Sequence, residues 1–314
     1  MKVLVTGSTG MIGGHFLTAC EKRGWETHGL SRSTSHSRQN PFRNQNHHEC
    51  DILDRGSLIS MLRKLKPDLI IHMAAQAFNG NSWESEDYTH QANFNGTLNL
   101  LNASLHECPD AKLLLACSSA EYGDVQPEDC PLIEDRLLRP ITPYGVSKAS
   151  CESLGYQYFV NYGMQVFLPR LFIHVGTGHP PATAIQNFAR QVAAIKLGKL
   201  EPIMRVGRLD TARDFIDVRD GVEGMLLLLE KGQAGQAVNI CNQKAHTIQE
   251  VLDIFIEESG VDVNVEQDPN LLRPSDEPLL LGDNSRLRAL GWKRRFSFRE
   301  TLRSVYEDWL ARSS

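Results

Sequence analysis

The sequence predicts a doubly wound α/β fold: a Rossmann-type parallel sheet with a smaller C-terminal α/β lobe for substrate. Three observations carry this. A glycine turn sits between an apolar strand and a helix at the N-terminus. Strand and helix patterns then alternate at βαβ spacing through the first half, and a Tyr-x-x-x-Lys pair at 144 and 148 follows a Ser-Ser strand end.

Taken in order, Lys2–Thr6 reads as a buried strand, followed by the turn Gly7-Ser-Thr-Gly10-Met-Ile-Gly13 and a helix from about Met11 to Arg23. Thr27–Leu30 is a second strand, and the polar loop after it has no periodicity. Strands recur at Leu69–His72 and Leu113–Cys117, with helices near Ser57–Leu65 and Tyr88–Leu105. A helix carries Tyr144–Tyr162, and Gln165–Leu168 is the next strand. Beyond the Gly/Pro-rich loop 176–181 come helices around Ala184–Leu197, Val218–Glu230, Ile248–Ser259, Ser285–Leu290 and Phe298–Leu310, with short strands at Ile203–Val206 and Ala237–Ile240. This pattern divides the chain into a dinucleotide-binding unit, 1–172 with a returning segment at about 207–241, and a substrate lobe, 173–206 with 242–314.

A formal net charge of −5 gives no electrostatic reason for a nucleic-acid or anionic-membrane partner. The first apolar run ends after three residues, too few for a signal-peptide core, and no later run is long enough to span a bilayer; the expectation is a cytoplasmic enzyme. The seven cysteines form no Cys-x-x-Cys pair and read as reduced thiols. No further ligand stands at metal spacing from His47-His48, so no metal is expected.

In the glycine turn, Gly7 permits the tight bend, Gly10 lets backbone approach phosphate, and Gly13 lets the helix pack closely on the strand. At the end of the second strand an NAD-binding chain usually offers an acid to the ribose hydroxyls. Here the residues are Ser31-Arg32-Ser33, which suit a 2′-phosphate, so NADP(H) is expected over NAD(H). Asp51-Ile52 stands where adenine would be met, although an Asp there also suits a helix cap.

Tyrosine is a weak acid at neutral pH, with an unperturbed pKa of about 10. A lysine ammonium one helical turn away favours the phenolate and brings the proton into working range. Tyr144 and Lys148 have that spacing, and Ser118 supplies a neutral hydroxyl to polarise a substrate oxygen. Glycine turn, Ser-Ser and Tyr-x-x-x-Lys together point to hydride chemistry on a carbonyl or carbinol.

From Lys2 to about Leu310 the chain resembles the extended short-chain dehydrogenase/reductases that modify nucleotide sugars. The resemblance rests on the glycine turn, His72-Met-Ala-Ala-Gln76, Asn95-Gly-Thr-Leu-Asn99, Ser118-Ser-Ala-Glu-Tyr-Gly123 and Pro143-Tyr-Gly-Val-Ser-Lys148. Later motifs, among them Gly207–Phe215, Asp217-Val-Arg-Asp220, Val238–Cys241 and Leu272–Asp276, are most similar to GDP-4-keto-6-deoxy-D-mannose reductases and GDP-mannose 4,6-dehydratases. The resemblance implies that Tyr144 protonates a C4 oxygen as NADPH delivers hydride, that Ser118 steadies that oxygen and that Lys148 tunes Tyr144. For the coenzyme it also implies Thr9, Met11, Ile12, Ala74, Ala75, Gln76, Asn93, Leu171 and His174. For the sugar nucleotide it implies Ser119, Ala120, Glu121, Ile173 and Gln186, with Arg190, Arg213 and Arg273 at the diphosphate.

The dehydratases carry a Glu at the position of Ala120, where it removes the C5 proton; a methyl group cannot, which tilts the expectation to a reductase. Glu121 next door is a candidate displaced base. Ile173 and Arg208 each replace a relative's Asn, and an apolar side chain cannot supply the amide hydrogen bond lost at 173. The rivals are an NDP-sugar 4-epimerase, a 4,6-dehydratase using Glu121 and, in another class, a non-catalytic dinucleotide-binding regulator. The resemblance further implies a homodimer through a four-helix interface that includes Tyr88–Leu105 and Tyr144–Tyr162.

Overall fold

Val3, Leu4 and Val5 follow one another with no polar side chain between them, a pattern that suits a strand covered on both faces. In the structure, a computed structural model that describes residues 1–32, 46–271 and 277–314, all three are fully buried. They belong to β1 (Lys2–Thr6), whose neighbours are β2 (Glu26–Ser31) and β4 (Leu69–His72), both parallel to it. With β3 (His47–Glu49), β5 (Lys112–Leu115), β6 (Cys117–Ser118), β7 (Val166–Leu171) and β11 (Ala237–Ile240) they form an eight-stranded sheet, ordered β11-β7-β5-β4-β1-β2-β3 with β6 beside β7.

The order reverses at β1, so the crevice beyond its C-terminal end is the switch point where open α/β sheets bind ligands. Helices α1 (Met11–Lys22) and α8 (Val218–Lys231) close one face over Val3, Val5 and Ile71. Helices α2 (Arg55–Leu65), α5 (Gly96–Glu107) and α6 (Pro143–Tyr162) close the other over Leu4, Ile70 and Leu113. Each fully buried Leu or Ile contributes about 1.5–3 kcal/mol of transfer free energy, which fixes the strand faces against a one-residue slip.

A second sheet centres on β10 (Ala212–Asp217), with β8 (Ile173–Val175) and β14 (Leu279–Leu280) parallel to it and β12 (Ala245–Thr247) antiparallel. A further pair joins β9 (Ile203–Val206) to β13 (Asn264–Gln267). Amphipathic helices α7 (Ala184–Lys196), α9 (Ile248–Ser259) and α11 (Phe298–Ser313) enclose a third core around Phe188, Phe255 and Trp309.

Several boundaries differ from the sequence reading. The polar loop after β2 contains β3, because Gly29, Leu30 and Ser31 offer a parallel edge that His47, His48 and Glu49 pair with. The strand expected over Leu113–Cys117 breaks at Ala116 into β5 and β6. The helix expected over Tyr88–Leu105 begins earlier, as α4 (Glu86–His90), and passes through one π turn at Gln91–Asn95 into α5. All seven cysteines are unpaired thiols. Among the described residues no helix is long and apolar enough to cross a membrane.

Candidate active site

The glycine turn has the geometry its spacing suggests. Gly7 takes φ +66°, and a Cβ there would stand 2.7 Å from the Ala74 amide nitrogen. A Cβ on Gly13 would lie 2.3 Å from the Gly7 carbonyl oxygen, so α1 meets the turn at a distance only glycine allows. Gly10 caps α1 without a side-chain hydrogen bond, and no acid stands in the first turn, which leaves the helix N-terminus suited to an anion. Thr9, Met11 and Ile12 lie on this turn. Beneath it His72 joins Thr6 Oγ1 (2.7 Å) to Thr97 Oγ1 (3.0 Å), and burial pushes its pKa down to about 3, so it bridges as the neutral ring. Thr6 Oγ1 also accepts the Ala74 N–H, holding the Ala74-Ala75 loop against the glycines.

Ser118 ends β6, in register with Leu171 of β7, and caps the short 3₁₀ turn Ser119–Glu121. Its Oγ accepts the Ala120 N–H at 3.2 Å, which leaves the serine proton to be donated elsewhere. Tyr144 and Lys148 lie in the first two turns of α6, which Thr142 caps by accepting the Gly145 N–H. A Cβ on Gly145 would stand 2.5 Å from the Ala120 carbonyl oxygen; that glycine brings the start of α6 against the Ser118 turn. Lys148 is buried and donates from Nζ to the Ala116 carbonyl at 2.7 Å, across the break between β5 and β6. Burial works against its charge, but the acidic groups around it, the Tyr144 phenol first among them, outweigh it and hold the Lys148 pKa above the usual lysine value. The break at Ala116 thus gives Lys148 an anchor, and Ser118, Tyr144 and Lys148 come together at one strand end.

Some expected ligands have other partners. Asn93 is buried; it accepts the Gln76 N–H at 2.7 Å and donates to the Gln76 carbonyl and to Ser147 Oγ. It ties the β4 loop to α6, and the π turn aims it there. The Gln76 side chain closes locally on Phe78 and Thr89. Ile52 turns its side chain into the core against Gly96, so the adenine side retains exposed Asp51, whose carboxylate accepts the Leu53 N–H; the helix cap there is Asp54. His174 donates from Nδ1 to the Phe172 carbonyl, packs against Gly221 and is held neutral by burial, its pKa pushed down to about 4. At the far end, Ser31 hydrogen-bonds His47 Nε2 at 2.9 Å, and Arg32 lies over the Tyr88 ring and meets its hydroxyl. Tyr88 is a support the sequence does not signal.

On the sugar side, the Gln186 amide donates to the Gly176 carbonyl and accepts from Trp309 Nε1 inside the third core. Glu121 also has a protein partner. Its side chain is fully buried, turns back to accept the Ser118 N–H at 2.7 Å and faces Arg170. Ser119 is buried beside it, Ala120 is half-buried, and Ile173 packs at the edge of the third core. Arg190 donates to Asn187 Oδ1. Arg213 donates to the Ala212 and Glu277 carbonyls and stands 3.8 Å from the Glu277 carboxylate, while Asp214 accepts from the backbone of Asn242, Gln243 and Gly282. Arg208 pairs with Asp210. Arg273, with the motif 272–276, and Ser33 lie outside the described residues.

Comparison with known proteins adds three findings. The family model of GDP-mannose 4,6 dehydratase matches residues 4–305. A GDP-6-deoxy-D-mannose reductase from Pseudomonas aeruginosa is 33% identical over 84% of this chain and 87% of its own length, and a GDP-mannose 4,6-dehydratase from Yersinia enterocolitica is 28% identical over 93% and 89%. The solved structure of RMD from Pseudomonas aeruginosa complexed with NADPH superposes with a TM-score of 0.86 at 30% identity, covering 99% of both chains.

Proposed function

Because the chain belongs to the GDP-mannose 4,6-dehydratase family, we propose that it is an NADPH-dependent reductase of the C4 keto group of a nucleotide-linked 4-keto-6-deoxyhexose, GDP-4-keto-6-deoxy-D-mannose in the first instance. The observation that carries this reading within the family is the Ser118 turn. A methyl group stands at Ala120, and the neighbouring carboxyl of Glu121 is sealed inside, so the turn offers no base for the C5 proton that dehydration must remove.

The glycine turn, with its uncapped helix N-terminus, fits a pyrophosphate, and Ser31 with Arg32 fits a 2′-phosphate. NADPH, when bound, supplies the hydride. Tyr144 gives its phenolic proton to the C4 oxygen as charge develops there, and Lys148, held charged against Ala116, sets a positive charge near the phenolate that results. Ser118, with its oxygen already accepting from Ala120, keeps its proton and donates a hydrogen bond to the same C4 oxygen, holding it in place. For the diphosphate the candidate cations are Arg190, from the smaller lobe (173–206 and 242–314), and Arg213, from the returning segment at about 207–241. The exposed Val146, Tyr156 and Val160 on α6 support pairing with a second copy through a four-helix interface.

The test is NADPH absorbance on mixing with GDP-4-keto-6-deoxymannose, with GDP-mannose as control. Stoichiometric oxidation supports the reductase; a changed sugar nucleotide without net oxidation replaces it with an epimerase or dehydratase. In the same assay, Arg32→Ala weakens NADPH binding about tenfold and leaves NADH unchanged, the difference of one charge-assisted contact to the 2′-phosphate. An equal loss for both coenzymes would reject that role for Arg32.

A further inference from the structure

The Ser118 turn stands on an unusual base. Glu121 Oε1 accepts the Ser118 N–H at 2.7 Å while Ser118 Oγ accepts at 3.2 Å from Ala120, a capping box whose carboxyl is sealed from water. Glu121 Oε2 is buried and has no hydrogen-bond partner. The cation nearest it is Arg170, 3.8 Å away, but Arg170 is already committed. It donates to both oxygens of Glu152, at 2.8 and 2.6 Å, and to Tyr122 and the Glu134 carbonyl.

One guanidinium therefore faces two buried carboxyls. A second buried carboxylate without its own counter-charge costs several kcal/mol, and a proton resolves the conflict at far lower cost. Oε2 is the oxygen with room for that proton: it accepts from no donor, and a Glu152 oxygen lies within 4.8 Å of a Glu121 oxygen. Burial, then the charge on Glu152, push Glu121 well above the usual carboxylate range. The other titratable groups facing it are Cys117 on β6, Lys148, Cys151 and Glu152 on α6 and Arg170 on β7.

We infer that Glu121 is a positioning residue, an un-ionised carboxylic acid that locks the Ser118 turn so that the serine hydroxyl presents its proton to the substrate oxygen. Neutrality has a second consequence. An ionised Glu121 would compete with Tyr144 for the charge on Lys148; as an acid it leaves Lys148 to the phenol.

The inference rests on the reductase reading, and kcat, KM and coenzyme binding separate the two. Glu121→Leu leaves the buried Ser118 N–H unpaired, and kcat falls about tenfold with KM for the keto sugar and Kd for NADPH within about twofold of wild type. Glu121→Gln keeps an acceptor for Ser118 and a donor toward Glu152, and restores most of the rate. In infrared difference spectra, the wild type shows the carbonyl stretch of a protonated carboxylic acid, and Glu121→Gln lacks it. If Glu121→Leu does not fold, the Gln variant and this band decide. Loss of thermal stability with an unchanged kcat, or no such band, overturns the inference alone. A wild type that never oxidises NADPH with the keto sugar overturns the reductase reading and the positioning role together.

Discussion

Tyr144→Phe lowers kcat by about three orders of magnitude while NADPH binds within about twofold of wild type, because a positioned general acid contributes roughly 10²–10⁴ in rate and the coenzyme site is otherwise intact. Phenylalanine keeps the ring at the start of α6, and Gly145 still seats that helix on the Ala120 carbonyl, so the fold has no reason to change. The loss is confined to the proton. Lys148→Met gives a second, separable result: the Ala116 carbonyl loses its donor, so both stability and rate fall. Single-turnover kinetics with coenzyme titration by fluorescence checks both variants. A Tyr144→Phe enzyme that keeps its rate would show that another group delivers the proton and would return the regulator reading to contention.

The sequence makes the scaffold of this site legible because its signals are local. An apolar run such as Leu69–His72 and glycines three apart before a helix are set by neighbours in the chain, and the strand is found where it is read. What the sequence hides is non-local. Ala212–Asp217 reads as polar because Arg213 and Asp214 sit in it, yet both are buried once Glu277 and the Asn242, Gln243 and Gly282 amides arrive from elsewhere. His47–Glu49 becomes a strand only because β2 presents an edge. The direction of Glu121 is hidden in the same way, since a residue after a strand end can face either side and Arg170 decides it from 49 positions on. One signal was available. Glu152 follows Lys148 by one helical turn on the face that carries Tyr144, and Arg170 is a lone cation in an otherwise apolar strand. Each calls for the other.

Breaking that pair has the largest expected effect on stability. Arg170→Met keeps most of the side-chain volume but removes the guanidinium that binds both oxygens of Glu152 and meets Tyr122 and the Glu134 carbonyl, at a position only 4% exposed. The Glu152 carboxylate is then stranded beside Glu121, and losing one partner of a buried pair costs about 3–5 kcal/mol. The cost depends on pH with a definite sign. A stranded carboxyl takes up protons in the folded variant more readily than in the unfolded chain, so the deficit against wild type is smallest in acid and grows as pH rises. Urea unfolding of both proteins at several pH values measures it. The double variant Arg170→Met with Glu152→Gln recovers part of the loss at neutral pH by removing the unpaired charge, and an absence of recovery would assign the destabilisation to packing around Tyr122 instead. Since β7 carries Arg170 and pairs with β6 at Cys117 and Ser118, the same break loosens the strand end that carries Ser118. Stability and turnover therefore fall together in Arg170→Met, whereas Tyr144→Phe separates them.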